Sequence, residues 1–184
     1  TFDVVPCDTT AGPLNSLQFD GTNDYVTFGN PAELGLATFT IETWFNRTAA
    51  GVGNTTGSGG IASLVPLVAK GAAEADGSNV DANYVLGINT ARVCSGGSNN
   101  NAICTVDSQC PGGTCGAANV IAADFEDTAT GLNHPVSGTT AITNNIWHHA
   151  AATYDGTTWK LYLDGNLEAT LVVGAFTPRS DSIQ

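Results

Sequence analysis

The 184-residue chain carries 17 acidic against 5 basic side chains, a formal net charge of −12. Such a surface lacks the basic footprint that nucleic acid and anionic membranes need, and no apolar run approaches the roughly 20 residues of a membrane-spanning helix. What remains is a chain long enough for one large core, with 22 glycines, no methionine and no Leu-rich helical stretch.

In chain order, apolar runs bounded by turn residues predict strands at Ser16–Phe19, Tyr25–Phe28, Thr38–Asn46, Leu64–Ala69, Asn83–Asn89, Asn119–Glu126, Trp147–Tyr154, Trp159–Asp164 and Leu167–Val173. Pro66 makes the fourth an edge strand, because proline donates no ladder hydrogen bond. Only Pro31–Leu36 hints at a helical turn, opened by proline and closed by Gly35. Two irregular pieces interrupt the strands. Thr48–Gly60, rich in Gly, Thr and Asn, is expected to be a mobile surface connection, and Arg92–Ala118 is a cysteine-bearing loop. Asp155-Gly156 and Asp164-Gly165 lie between β-forming runs, and Asp-Gly is a strong hairpin signal because both residues tolerate positive φ. Trp147 and Trp159 are expected core residues of their strands.

Three passages carry a family resemblance. Ile146–Gly165 reads I-W-H-H-A-A-A-T-Y-D-G-T-T-W-K-L-Y-L-D-G; Leu17–Val26 reads L-Q-F-D-G-T-N-D-Y-V; Phe39–Phe45 reads F-T-I-E-T-W-F. In this order they resemble the W-H-H-V-A-x-T-Y-D-G…W-x-L-Y-x-D-G, L-x-F-D-G-x-x-D-Y-V and F-T-I-E-x-W segments of laminin-G-like, concanavalin A-like jelly-roll domains. The resemblance implies an all-β, antiparallel two-sheet sandwich spanning 1–184, with a Cys-rich insertion at 92–118. Such domains usually close with a strand similar to I-D-E-V-x-I-W, which is not found before Gln184. The resemblance therefore implies a sandwich lacking its last strand, either as a fragment or with that strand supplied by a neighbouring chain at an open edge. With no initiator Met before Thr1-Phe2-Asp3, the chain is expected to be processed or excised from something larger.

Cys94, Cys104, Cys110 and Cys115 crowd a Gly/Ser/Asn-rich stretch with too little apolar content to fold by burial alone. Two disulfides would staple it, with three connectivities open; a zinc site is the rival, weakened by irregular spacing and the lack of a C-x-x-C pair. Cys7 is left over. Disulfides imply an oxidising compartment, so an extracellular or cell-surface location is expected. Asn46-Arg47-Thr48 and Asn54-Thr55-Thr56 match the N-glycosylation acceptor pattern.

Calcium needs several oxygen ligands converging from turns. Asp20, Asn23 and Asp24 offer one such turn, and Glu126 and Asp127 another at the end of a strand; relatives in the resembled family often carry calcium on the sandwich rim. The alternative for Asp20 and Asp24 is capping of turn amides, and for Glu126 and Asp127 a solvated rim. His148 and His149 point to opposite faces of one strand and cannot chelate one ion together; nothing completes a zinc set around His134. Sandwich glycosidases need carboxylates paired at about 5–5.5 Å for retention. Asp124 and Glu126, at i and i+2, are the best pair here, but they lack the E-x-D-x-x-E pattern that sandwich glucanases carry on one strand, and Glu42 stands alone. No G-x-S-x-G elbow is present. In Thr38–Asn46 the face carrying Glu42, Trp44 and Asn46 sets an indole beside polar groups, as a sugar-stacking platform would. The alternative is a Trp44 covered by a loop or strand. The expected function is a noncatalytic extracellular recognition module for glycans or proteins, calcium-stabilised and part of a larger surface or secreted protein. A structural subunit of a surface layer or fibre, self-assembling through an open sheet edge, is the alternative; a glycoside hydrolase ranks third.

Overall fold

The computed structural model describes residues 3–6, 15–71, 82–100 and 102–180; Cys7 and the closing residues 181–184 lie outside the described part. The strands, in chain order, are β1 Asp3–Pro6, β2 Asn15–Gln18, β3 Phe39–Asn46, β4 Leu64–Lys70, β5 Tyr84–Asn89, β6 Cys94–Ser95, β7 Thr114–Cys115, β8 Val120–Phe125, β9 Val136–Ser137, β10 Trp147–Tyr154, β11 Thr158–Leu163 and β12 Asn166–Val172. Two four-stranded antiparallel sheets form the body, in the orders β12-β11-β10-β3 and β4-β5-β8-β9, while β1-β2 and β6-β7 are small separate ribbons. The expected antiparallel sandwich is the observed one.

Period-two alternation in β3, β10 and β11 drives the stacking. Phe39 and Phe45 from β3, Ala150, Ala152 and Tyr154 from β10, and Trp159, Leu161 and Leu163 from β11 turn inward onto Leu86, Ile88, Ile121 and Phe125 of the second sheet. Trp159 is fully buried at the centre. Its ring centroid lies 5.5 Å from Phe39, edge to face, 5.4 Å from Phe125 and 5.5 Å from Tyr154, so one indole touches both sheets. Trp147 behaves differently from the core residue the sequence suggested. It pairs with Asn46 on the outer face and is half-buried, because its register puts it one residue out of phase with Ala150 and Ala152.

The turns follow their residues. Asp164 and Gly165 have φ of 50° and 78°, the two positive values of a type I′ hairpin. The Asp164 carboxylate accepts the His149 amide (2.8 Å) and bonds His148 Nδ1 (2.7 Å), while His148 Nε2 reaches the Thr143 carbonyl (3.0 Å). The W-H-H…D-G pattern is thus one physical unit: the aspartate of the β11–β12 turn fixes the inward histidine of β10. At the other turn, Asp155 Oδ1 accepts the amides of Thr157 and Thr158.

Two further expectations are corrected. Tyr25–Phe28 is not a strand; Tyr25 and Phe28 are largely exposed, since no described strand lies alongside to complete a ladder. Nor is Thr48–Gly60 a free connection. Asn54 bridges Leu64, and the segment continues into Ile61, which packs with Leu64, Val85 and Ala122 on the outer face of the second sheet. That cover explains why every residue of β5 and β8 is buried, a two-sided burial more familiar in parallel sheets. Gly87 of β5 lies tight against the neighbouring strand β4, where a Cβ would sit 2.5 Å from the Val65 carbonyl oxygen. The helical turn at Pro31–Leu36 is one short 3-10 element at Ala32–Leu34. Pro66 does stand in an edge strand, at a register shift between Pro66 and Val68.

The cysteine segment is a self-contained loop on this body. Disulfides Cys94–Cys110 and Cys104–Cys115 settle the connectivity and consume the thiols that a zinc site would need. The Arg92 guanidinium donates to the carbonyls of Gly116, Thr105 and Cys115, and Asp107 accepts the Cys115 amide (2.8 Å). Each disulfide closing so short a loop contributes on the order of 2–4 kcal/mol. Reduction is expected to open 92–118 to protease before any other segment, with the near-ultraviolet signal of Trp159 intact; mass mapping of timed digests reads this. Trp159→Ala should instead cost about 3–5 kcal/mol in denaturant unfolding, the usual loss for a buried large aromatic.

Candidate functional site

With Phe39, Phe45, Ala150 and Trp159 facing the core, alternation sends Thr40, Glu42, Trp44 and Asn46 of β3 and Trp147, His149, Ala151 and Thr153 of β10 to the outer face of the first sheet. Trp44 is 50% exposed. Its ring lies 5.2 Å from that of His149, tilted by 51°, and His149 Nε2 stands 3.6 Å from Glu42 Oε2. An exposed indole is thereby held by its cross-strand neighbour, which is in turn held by a carboxylate. Asn46, at the strand end, is half-buried, and its side-chain oxygen is enclosed without a hydrogen-bond partner. His148 faces the core and His149 the platform, as their adjacency in a strand requires.

A second polar constellation sits at one end of the other sheet. Asp124, fully buried on β8, accepts the Thr56 hydroxyl (2.5 Å) and the His134 amide (2.9 Å). Burial pushes its carboxyl up to about 7 against the opposing pull of these donors. Gly60 packs against this pair so closely that a Cβ there would collide with Thr56 Oγ1 and Asp124 Oδ2. Thr56, the last residue of the second glycosylation pattern, is therefore committed to a structural bond. Glu126 pairs with Arg179 (2.5 Å), and Asp127 takes the amides of Ala129 and Thr130, the Thr130 hydroxyl and His134 Nε2. For Asp127 burial works upward, but the Thr130, His134 and Ala129 bonds outweigh it and hold the carboxyl down at about 2.

These contacts test the room for calcium. Donors already occupy both oxygens of Asp127, and a guanidinium sits on Glu126, so neither is a solvated rim and the pair does not fit a cation. Asp20 and Asp24 lie in an exposed bend, where Asp20 Oδ1 accepts the Thr22 amide (2.7 Å) and Asp24 Oδ2 the Asp20 amide (3.0 Å). Each keeps one carboxylate oxygen outside these bonds, and Asn23 is exposed beside them. Among the described residues, the one trio of His, Cys, Asp or Glu ligand atoms close enough to share a metal is Cys94, Cys104 and Cys110, all in disulfides.

Asp124, Thr56, His134 and Arg179 are the residues that sequence reasoning passed over as a set. One signal was available: Val120–Phe125 is an apolar run broken by a single aspartate, and a lone carboxylate in a strand buried on both faces must find donors. A family model described as the concanavalin A-like lectin/glucanases superfamily matches residues 89–183, just over half of the chain. No curated protein matches the sequence significantly.

The two shifted carboxyls give a pH profile. Asp124 has a folded pKa above the unfolded value of roughly 3.9, so the native state retains a proton that the unfolded chain releases. Its contribution therefore declines as pH rises from about 4 to about 7 and is constant above. Asp127 runs the other way; its stabilisation is present above pH ~4 and lost as pH falls toward about 2. Asp124→Asn is expected to gain in melting temperature relative to the parent as pH goes from 4 to 8. A difference between the two that stays constant over that window would rule this out.

Proposed function

Because the chain belongs to the concanavalin A-like lectin/glucanases superfamily, we propose that it is a noncatalytic extracellular recognition module. Its ligand, a glycan or an extracellular protein, docks on the outer face of the first sheet. The observation carrying this reading is the half-exposed Trp44 indole flanked by His149 and Glu42. An aromatic face beside hydrogen-bonding groups suits a sugar ring, whose C–H face stacks while its hydroxyls find polar partners. Two disulfides fit an oxidising location.

The superfamily also contains glycosidases, so the carboxylates decide between binding and cleavage. Asp124 is sealed from solvent and Glu126 is paired with Arg179, which removes the i, i+2 pair from any substrate. On the platform, Glu42 faces Ala151 across the strand pair, with no second carboxylate opposite. Polysaccharide cleavage abolished by Glu126→Gln would reverse this reading.

Glycan-array binding by the purified chain is the direct test, and Trp44→Ala is expected to abolish it with the fold intact. Trp44 is exposed, so its loss should leave stability within about 0.5 kcal/mol. A second reading, a structural subunit of a surface layer or fibre, rests on the free edge of β3, the terminal strand of its sheet among the described residues. Regular assembly seen by electron microscopy, with an empty glycan array, would favour it over recognition. Calcium is proposed at the Asp20–Asn23–Asp24 bend. Native-state binding there stabilises by about 2.7 kcal/mol at a hundredfold excess over Kd. Melting is expected to fall when a chelator replaces calcium; superimposable curves would discard the site.

A further inference from the structure

The cross-strand register extends the platform beyond Trp44. Ala151 of β10 pairs with Glu42 on one side and with Tyr162 of β11 on the other, and Tyr162 pairs in turn with Leu167 of β12. All four share the outer face. Ala151 has only a methyl group and is 7% exposed, so it is the low point between taller neighbours. Tyr162 is half-buried, and its hydroxyl bonds to no described residue. Leu167, 57% exposed, closes the far end.

We propose that this face is a trough with two aromatic subsites, Trp44 and Tyr162, floored by Ala151, and that it takes an uncharged oligosaccharide rather than a single sugar. The inference rests on the recognition reading above and adds the length and charge of the ligand to it. Tyr162 stands two strands across from β3 and one pleat along from Trp44. With strands ~4.8 Å apart and ~6.8 Å per residue pair, the two backbones are about 12 Å apart. That span exceeds one pyranose ring and matches a short chain lying obliquely over the strands. The side chains suit the contact as well: two flat rings stack on successive sugar faces at small conformational cost. Charge selects the ligand class. Glu42, Lys160 and His149 leave the face with no strong sign, while the net −12 of the chain repels sulfated and uronic-acid polymers.

The test is calorimetric titration of the full 184-residue chain with β-1,4-linked glucose and N-acetylglucosamine ladders, from monosaccharide to tetrasaccharide. Affinity is expected to climb from one sugar to three and then level off. Tyr162→Ala should lower trisaccharide affinity about tenfold, the worth of one good aromatic contact, and leave the monosaccharide unchanged. Tyr162→Phe should keep most of the affinity, which separates loss of stacking from loss of fold, and Ala151→Leu should reproduce the selective loss by filling the floor. If Trp44→Ala abolishes binding while Tyr162→Ala spares the tetrasaccharide, the second subsite is refuted and the recognition reading survives. If wild-type chain binds no member of either ladder, the two-subsite trough is refuted, and the recognition reading is decided separately by the glycan array and by protein ligands.

Discussion

Everything functional in this chain depends on the burial of one side of the β3-β10-β11 ladder against the second sheet. Trp159, Phe39 and Tyr154 each touch aromatic rings from both sheets, and a strand has only two faces. Once Phe39, Phe45, Tyr154 and Trp159 are committed inward, Glu42, Trp44, His149, Ala151 and Tyr162 have nowhere to go but out. A slip of one residue in any of these pairings would bury the polar set and expose the aromatic one, at a cost no marginally stable domain can bear. The make-up of the outer face of the first sheet, where the ligand is proposed to dock, is therefore set by core packing.

The second sheet solves a different problem. Its strands β5 and β8 are buried on both faces, which demands a cover on the side away from the sandwich core. The Asn54–Ile61 segment supplies it, and Asp124 pins the cover down through Thr56 while the His134 amide ties in the loop that follows β8. A buried carboxylate without a counter-charge is expensive, so it survives only where several donors converge. The same economy governs its neighbours: Asp127 is saturated by amides, a hydroxyl and a histidine, and Glu126 by Arg179. Of the acidic residues that the sequence offers as a site, Asp124, Glu126 and Asp127 are committed to holding loops, whereas Asp20 and Asp24 each keep a carboxylate oxygen outside such bonds.

Much of this was legible before any coordinates. The turns at Asp155-Gly156 and Asp164-Gly165, the phase of Phe39–Asn46 and the opposite faces of His148 and His149 follow from backbone sterics and period-two alternation, which are local. The density of cysteines in 94–115 announced disulfides for a similar reason, since a segment with so few apolar residues needs covalent closure. Tyr25–Phe28 misled because a β-forming run becomes a strand only when another strand lies beside it, and pairing is not a local property. Trp147 misled because residue type alone does not set its phase.

The sequence by itself thus determined the long strands of the two sheets, the turn chemistry, which side chains share a face, and membership of a β-sandwich class. Only the tertiary structure decided what each face meets. It chose one of three disulfide connectivities, sealed Asp124 under a loop some seventy residues upstream in sequence, saturated Asp127, and brought Tyr162 beside Ala151 and Glu42. The reason is physical: alternation and turn propensity act over a few residues, whereas burial, donor satisfaction and cross-strand register join residues that only the folded chain makes neighbours.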